Sequence, residues 1–376
     1  MNILITGGAG FIGSHLSLAL LARSHNVTVL DSLSPQIHGD VPENSELFGN
    51  IKNKVTFILG DVRNSDDWMT ALEGADVVVH LAAETGTGQS MYEIDRYCDA
   101  NVGGTAKLLD ILTNKPHTVK KCIIASSRAV YGEGKYSCAQ CGVVYPLDRR
   151  AEDMASGDFE AKCPTCGKSV SALPTDEETL CIPGSIYALT KYMQEKMVLM
   201  ACKGIGIEAA ALRFQNVYGP GQSLSNPYTG ILSIFSTRMK NGNNINIFED
   251  GKESRDFVYI DDVVASIVLC IENENLAWES FNVGTGVPID VMTVARTLAE
   301  KYGSSSKIEV TGNFRVGDIR TNFADISKIR KRFGYAPKVS FDEGIFRFVE
   351  WVNGQDVSAD RYDASVDEMR KKGLLK

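Results

Sequence analysis

A chain of 376 residues with 44% apolar residues can bury a large core, yet it is long for one compact unit, so two domains, or one domain with insertions, are expected. A net charge of −8 argues against a broad basic face for DNA or RNA, and no apolar run reaches the ~18 residues that span a bilayer, so neither a nucleic-acid nor a membrane partner is expected. The opening MNILITGGAGFIG lacks the basic end and cleavage site of a secretory signal, which points to the cytoplasm, and the nine cysteines then read as thiols rather than as a disulfide framework.

Short apolar strands are predicted at NILIT (2–6), VTVLD (27–31), VTFILGD (55–61), DVVVHLAA (76–83), KCIIASS (121–127) and EAAALRF (208–214). Between them lie stretches of helical period such as HLSLALLAR and GGTAKLLDILT. Strand–helix alternation argues for an α/β fold, a Rossmann-type doubly wound parallel sheet covered on both faces. Residues 135–172 break the rhythm and read as an insertion with two cysteine knuckles. From about 216 the pattern is mixed and rich in Gly and Asn, as suits a smaller substrate domain. The division expected is a Rossmann domain over 1–134, 173–215 and about 249–275, the insertion over 135–172, a smaller mixed domain over 216–248 and 276–352, and a polar tail over 353–376 with a short helix in SVDEMRKKGLL.

The first strand runs through a glycine turn into a helix in NILITGGAGFIGSHL. Gly7, Gly10 and Gly13 allow a tight turn and let a pyrophosphate approach the backbone where Phe11 and Ile12 open the helix. Asp31 ends the next strand, eighteen residues past Gly13, where a carboxylate binds ribose hydroxyls and repels a 2′-phosphate. NAD is therefore favoured over NADP. Asp61 and Val62, in GDV at the third strand end, are placed to hold the adenine.

In SIYALTKYMQEKMVLM, Tyr187 and Lys191 stand four apart and share a helix face. An ammonium beside a phenol favours the phenolate, which can then exchange a proton near neutral pH. Ser126 and Ser127 end the fifth strand, at the edge of the sheet where ligands bind. Met193, Met197 and Met200 follow on the same helix and suit core packing. Cys138, Cys141, Cys163 and Cys166 form two CxxCG knuckles, a pattern for one tetrahedral Zn²⁺, or iron, in a closed structural site.

These motifs, together with LAA (81–83), NVGGT (101–105), SSRAVYG (126–132), LRFQNVYGPGQ (212–222), RDFVYIDDV (255–263), FNVGTG (281–286) and RVGDIRTNFAD (315–325), resemble the extended short-chain dehydrogenase/reductase family. Within it the likeness is to NAD-dependent nucleotide-sugar epimerases and dehydratases. The resemblance implies Ser127, Tyr187 and Lys191 as catalytic residues, with Lys191 also on the nicotinamide ribose. It implies Leu81, Ala82, Ala83, Asn101 and Ser126 as further cofactor residues. Asn216 would meet the phosphate of a nucleotide-diphosphate sugar, Arg255 and Arg315 would clamp its diphosphate, and Asp318 would take its ribose. A homodimer is implied as well.

Dehydratases of this family carry Asp and Glu directly after the catalytic Ser or Thr; this chain has Arg128 and Ala129, which favours 4-epimerisation through a transient 4-keto sugar. Gln215 departs from the aromatic usual before the asparagine. GQSMYEI (88–94), SNPYTGILSIF (225–235), the cysteine insertion and the ending KKGLL resemble a dTDP-L-rhamnose 4-epimerase-like subgroup, which implies dTDP-L-rhamnose and dTDP-6-deoxy-L-talose. A UDP-glucose/galactose-type epimerase, or an oxidoreductase or dehydratase of the same family, is the alternative. Because the insertion falls between Ser127 and Tyr187, the metal is expected to staple a lid or wall over the sugar pocket.

Overall fold

A computed structural model describes residues 1–224, 226, 230–356, 360 and 362–376. Seven parallel strands form the main sheet in the order 277–283, 208–214, 121–127, 77–80, 2–6, 26–31, 56–59. Alternation along each strand builds two separate cores. Ile3, Ile5, Val77, Val79, Ile123 and Leu212 face one side, while Leu4, Val78, Cys122, Ile124 and Ala211 face the other. Helices cover both sides, which is why these strands read as nearly continuous apolar runs. The chain moves outward from Asn2–Thr6 through Asn26–Asp31 to Thr56–Leu59, then returns to Val77–His80 on the opposite side. That reversal opens a crevice at the carboxyl ends of the strands.

All six predicted strands are present; the second begins one residue earlier, at 26, and the third and fourth are trimmed to 56–59 and 77–80, short of the glycine turn and loop that follow them. A seventh strand, Ala277–Val283, was not foreseen. It pairs in parallel with Glu208–Phe214 at the edge of the main sheet, with a register shift between Ala277 and Glu279. Its polar Glu279 and Ser280 and its irregular pairing hide the strand pattern. The smaller region expected from 276 therefore lends this strand to the large sheet.

The rest of the carboxyl-terminal half is mixed. Ser254–Tyr259 pairs in parallel with Asn216–Tyr218 and Thr321–Asn322 and antiparallel with Pro288–Asp290. Ile245–Ile247 pairs with Ile308–Val310. The insertion folds as a three-stranded antiparallel sheet, with Tyr136–Cys138 between Gly142–Val144 and Ser171–Ala172. Tyr136, Cys138, Val144, Ala161 and Cys163 form its own small buried cluster. In the tail, helix Tyr362–Lys371 buries Tyr362, Val366 and Met369. The final residues pair with 314–316 through Phe314 N–H to the Lys376 carbonyl and Val316 N–H to the Leu374 carbonyl.

Candidate active site

A cleft of about 1110 Å³ runs along the carboxyl edge of the main sheet. Gly7, Gly10, Phe11, Ile12, Gly13, Asp31, Asp61, Val62, Leu81, Ala82, Ala83, Ser126, Ser127, Tyr187, Lys191 and Asn216 all line it. The glycine turn is built for close approach. Gly7 has φ +66°, and a Cβ there would lie 2.8 Å from the Ala82 nitrogen; one on Gly13 would lie 2.4 Å from the Gly7 carbonyl oxygen. Helix Phe11–Leu21 begins at Gly10 with no side-chain cap, leaving its first amides for a ligand. Asp31 takes the Ala9 and Leu33 amides at 2.9 Å each, which fixes its carboxylate at the rim. Donor amides, a backbone without side chains and a ribose-directed acid fit a dinucleotide.

Three of the expected residues contribute differently. Asn101 is fully buried and does not line the cleft. Its side chain accepts from the Glu84 amide at 2.7 Å and donates to the Glu84 carbonyl and Thr190 Oγ1, so it holds the cleft's wall rather than a ligand. Ser126 points to the opposite face from Ser127, as strand neighbours do, and donates to Glu195 Oε2 at 2.7 Å. Asp61 is gripped by Arg63, whose Nη2 lies 2.6 Å from Oδ2; the Arg63 hydrogen bond is the largest influence on its carboxyl and holds its pKa below the usual value.

Tyr187 and Lys191 sit on helix Ile186–Ile205, capped by Ser185, which accepts the Ala188 amide at 3.1 Å. Ser90 Oγ accepts the Tyr187 amide at 3.0 Å and seats the first turn. The electrostatics differ from the sequence expectation. Burial raises the Tyr187 phenol's pKa; a hydrogen bond with Ser127 and the charge of Arg128 oppose this. The cation facing the phenol is thus Arg128, while the Lys191 ammonium turns to Gln194 Oε1 at 2.8 Å. Sequence reasoning had read Arg128 only as the loss of a dehydratase acid. It follows Ser127 at the cleft, and its Nε donates to Asn216 Oδ1 at 3.1 Å. Burial and Arg255 bring its pKa down to about 10, so it stays a cation at neutral pH.

Gln215 also lines the cleft, and both polar atoms of its buried amide lack a partner among the described residues. Arg255, Arg315 and Asp318 do not line it. Arg255 and Asp318 pair at 2.8 Å, and Arg255 also donates to the Ser254, Ile319 and Arg320 carbonyls. Burial raises the Asp318 carboxyl, but Arg255, Arg315, Arg149 and Arg128 pull it down to about 2. Arg315 lies 5.0 Å over the Phe248 ring, with its buried Nε unpaired among the described residues.

The NAD dependent epimerase/dehydratase family model matches residues 3–147 and 163–284. The chain belongs to this family. A family relative, dTDP-L-rhamnose 4-epimerase of Burkholderia thailandensis, is 38% identical over 93% of this chain and 94% of its own length. The solved UDP-glucose 4-epimerase of Thermotoga maritima, with UDP-glucose, is 30% identical with TM-score 0.76, over 94% of this chain and 99% of its own. The UDP-glucuronic acid 4-epimerase of Bacillus cereus, with UDP-glucuronic acid and NAD, is 27% identical with TM-score 0.75 over the same shares. Residues 148–162, inside the insertion, lie outside the two segments that the family model matches.

The insertion, where a lid or wall was expected, contributes none of the residues that line the cleft and packs against Glu249, Asp318 and Arg320. Arg149 instead makes a two-pronged pair with Glu249, at 2.6 and 2.7 Å, and donates to the Asp318 carbonyl at 2.9 Å. Glu160 meets Arg320 at 2.6 Å. The four cysteine sulfurs lie within 4.8 Å of one another, and those of Cys138 and Cys166 are 3.6 Å apart. A tetrahedral Zn–S site has sulfurs ~3.8 Å apart, so the donor set fits. Of the subgroup motif at 225–235, Ser225, Pro227, Tyr228 and Thr229 lie outside the described residues. No helix among the described residues is long and apolar enough to cross a membrane.

Proposed function

We propose that this family member is an NAD-dependent 4-epimerase of a nucleotide-diphosphate sugar, and that dTDP-L-rhamnose and dTDP-6-deoxy-L-talose are its substrate pair. The observation that carries the reading is the meeting of Ser127, Tyr187 and Lys191 at one cleft with the glycine turn and Asp31, while Arg128 and Ala129 stand where a dehydratase needs acids. The named substrate rests on the likeness to the Burkholderia relative.

Gly7, Gly10 and Gly13 would admit the pyrophosphate of NAD, Asp31 its adenosine ribose, Asp61 and Val62 its adenine, and Lys191 its nicotinamide ribose. When bound, NAD would supply the hydride acceptor for oxidation at sugar C4 and, once reduced, the hydride donor for its reversal. Tyr187 Oη takes the C4 hydroxyl proton and later restores it, as general base and then general acid. Ser127 Oγ holds the same sugar oxygen. Arg128 favours the phenolate that Tyr187 needs. Asn216 would meet the nucleotide's phosphate from the cleft wall, Arg255 and Arg315, which lie beyond that lining, would reach its diphosphate and Asp318 its ribose while the sugar turns, and the orphaned Gln215 amide would meet a sugar hydroxyl.

Cys138, Cys141, Cys163 and Cys166 would hold a structural Zn²⁺. The exposed Leu189, Met193 and Met200 on helix Ile186–Ile205 would be covered in a homodimer, which light scattering checks. The deciding experiment incubates the protein with dTDP- and UDP-sugars and follows C4 by NMR. Inversion of dTDP-L-rhamnose without release of NADH is expected. Tyr187→Phe should lose turnover while NAD stays bound; a fully active variant would remove the assigned base.

A further inference from the structure

A buried chain of hydrogen bonds runs behind the cleft. Lys191 Nζ donates to Gln194 Oε1 at 2.8 Å, and Gln194 Nε2 donates to Thr105 Oγ1 at 2.8 Å. Thr105 Oγ1 donates to the Asn101 carbonyl at 2.6 Å and lies 3.0 Å from His80 Nε2. His80 Nδ1 is 2.7 Å from Thr6 Oγ1, which also takes the Ala82 amide at 3.3 Å. Thr6, His80, Thr105 and Gln194 are fully buried, and Lys191 is 3% exposed.

One carbonyl sets the direction of every bond. A carbonyl only accepts, so the single Thr105 proton goes to Asn101. The Thr105 oxygen must then take its other protons from Gln194 and His80. His80 therefore carries its proton on Nε2, and Nδ1 accepts from Thr6. A flipped Gln194 amide would set oxygen against oxygen at Thr105 and N–H groups against the ammonium. Its carbonyl is thus locked toward Lys191. His80 stays neutral, since burial, and then the Lys191 charge, hold its pKa to about 3.

We propose that Gln194 is a positioning residue for Lys191: held by the Thr105–His80–Thr6 chain, it takes one of the three ammonium protons and leaves the other two for the hydroxyls of a nicotinamide ribose. The proposal rests on the NAD reading above and adds what orients the lysine. It also sets a neutral carbonyl acceptor against a buried lysine. Burial lowers the Lys191 pKa to about 7, opposed by Glu195 one turn along. The other groups around it give little help. Glu195 is committed to Arg213, Ser126 and Ser280. Tyr187 on the same helix is a neutral phenol in the resting state, His80 on the strand behind is neutral, Asn101 and Thr105 carry no charge, and Arg128 across the cleft is a cation.

The test reads the lysine directly. The full-length protein is pulsed with an amine-acylating reagent across pH, and labelling at Lys191 is measured by mass spectrometry. Gln194→Leu should lower the Lys191 midpoint by about one pH unit, the scale of one hydrogen bond to a charged group. Gln194→Glu, which keeps the shape, should raise it. Thr105→Val should lower it, and adding Thr105→Val to Gln194→Leu should lower it no further, because both act through one chain. Thr105→Ser, which keeps the hydroxyl, should leave it in place. Midpoints that stay put in Gln194→Leu and Gln194→Glu would overturn the proposal; should the leucine variant not fold, the glutamate variant alone decides. Absence of nucleotide-sugar turnover in the unaltered protein would sink the epimerase reading without touching these midpoints.

Discussion

Arg128 is the residue at which sequence and structure part most clearly. The four-residue spacing of Tyr187 and Lys191 was enough to place both on one face of a helix and at one cleft. It could not say which cation the phenol faces, because side-chain direction depends on partners elsewhere in the chain. Gln194 turns Lys191 one way, and the strand end after Ser127 brings Arg128 in from the other. Burial raises the phenol, and the Ser127 hydrogen bond and then the Arg128 charge oppose it, so removing that charge lets it rise further. Arg128→Ala is therefore expected to move the ascending limb of kcat against pH upward by about one unit, or ~1.4 kcal/mol. The sign follows from the chemistry: a higher phenol pKa demands a higher pH for the same phenolate. Arg128→Lys should restore part of the shift, since it keeps the charge but loses the Nε bond to Asn216. An unchanged limb in the alanine variant would assign Arg128 to substrate binding alone.

At the scale of elements, the strands, the glycine turn and the paired knuckles were legible because each is a local pattern. The docking of the insertion was not. Arg149 and Glu249 are one hundred positions apart, and nothing in VVYPLDRRAEDM marks one arginine as buried. The structure makes that arginine the link between the cysteine module and the Asp318 backbone. It also accounts for a module so small: the sulfurs themselves sit in its buried cluster, so a bound metal would replace the core that 38 residues of mostly polar chain cannot build. Changing both Cys138 and Cys163 to Ser should abolish zinc in elemental analysis and lower the melting temperature. The Michaelis constant for the nucleotide sugar should rise about fivefold, equivalent to ~1 kcal/mol, with NAD affinity unchanged. Arg149→Met should reproduce the rise in that constant while zinc is retained. A zinc-free protein with ordinary melting and kinetics would leave the module without a role in this cleft.

Across the whole molecule, the tail shows how a readable element can hide its purpose. Tyr362, Val366 and Met369 have helical spacing, and a helix was expected there, though three residues further along and within a polar tail. What it covers is not local. Arg238 reaches Asp360 and Asp363 at 3.1 and 3.0 Å and stacks 4.4 Å over the Tyr362 ring. At its far end Lys372 lies 5.2 Å over the Tyr92 ring, and Met369 lies beside Gly88. The last residues then pair with the backbone on both sides of Arg315. The tail thus fastens the segment carrying Arg315 to the short helix Thr87–Ser90, whose Ser90 seats Tyr187, joining the proposed diphosphate clamp to the proposed base. A chain ending at Asp356 keeps Gln355 and Asp356, which line the cleft, yet loses this fastening. Its urea midpoint should fall, since the buried Tyr362, Val366, Met369 and Leu375 each contribute of order 1.5–3 kcal/mol at most. The sharper expectation is selectivity: nucleotide-sugar affinity should drop while NAD affinity, set at Gly7 to Gly13 and Asp31 across the sheet, holds. Calorimetric titration with each ligand separates the two, and equal losses for both would mean that the tail stabilises the fold without shaping the sugar end of the cleft.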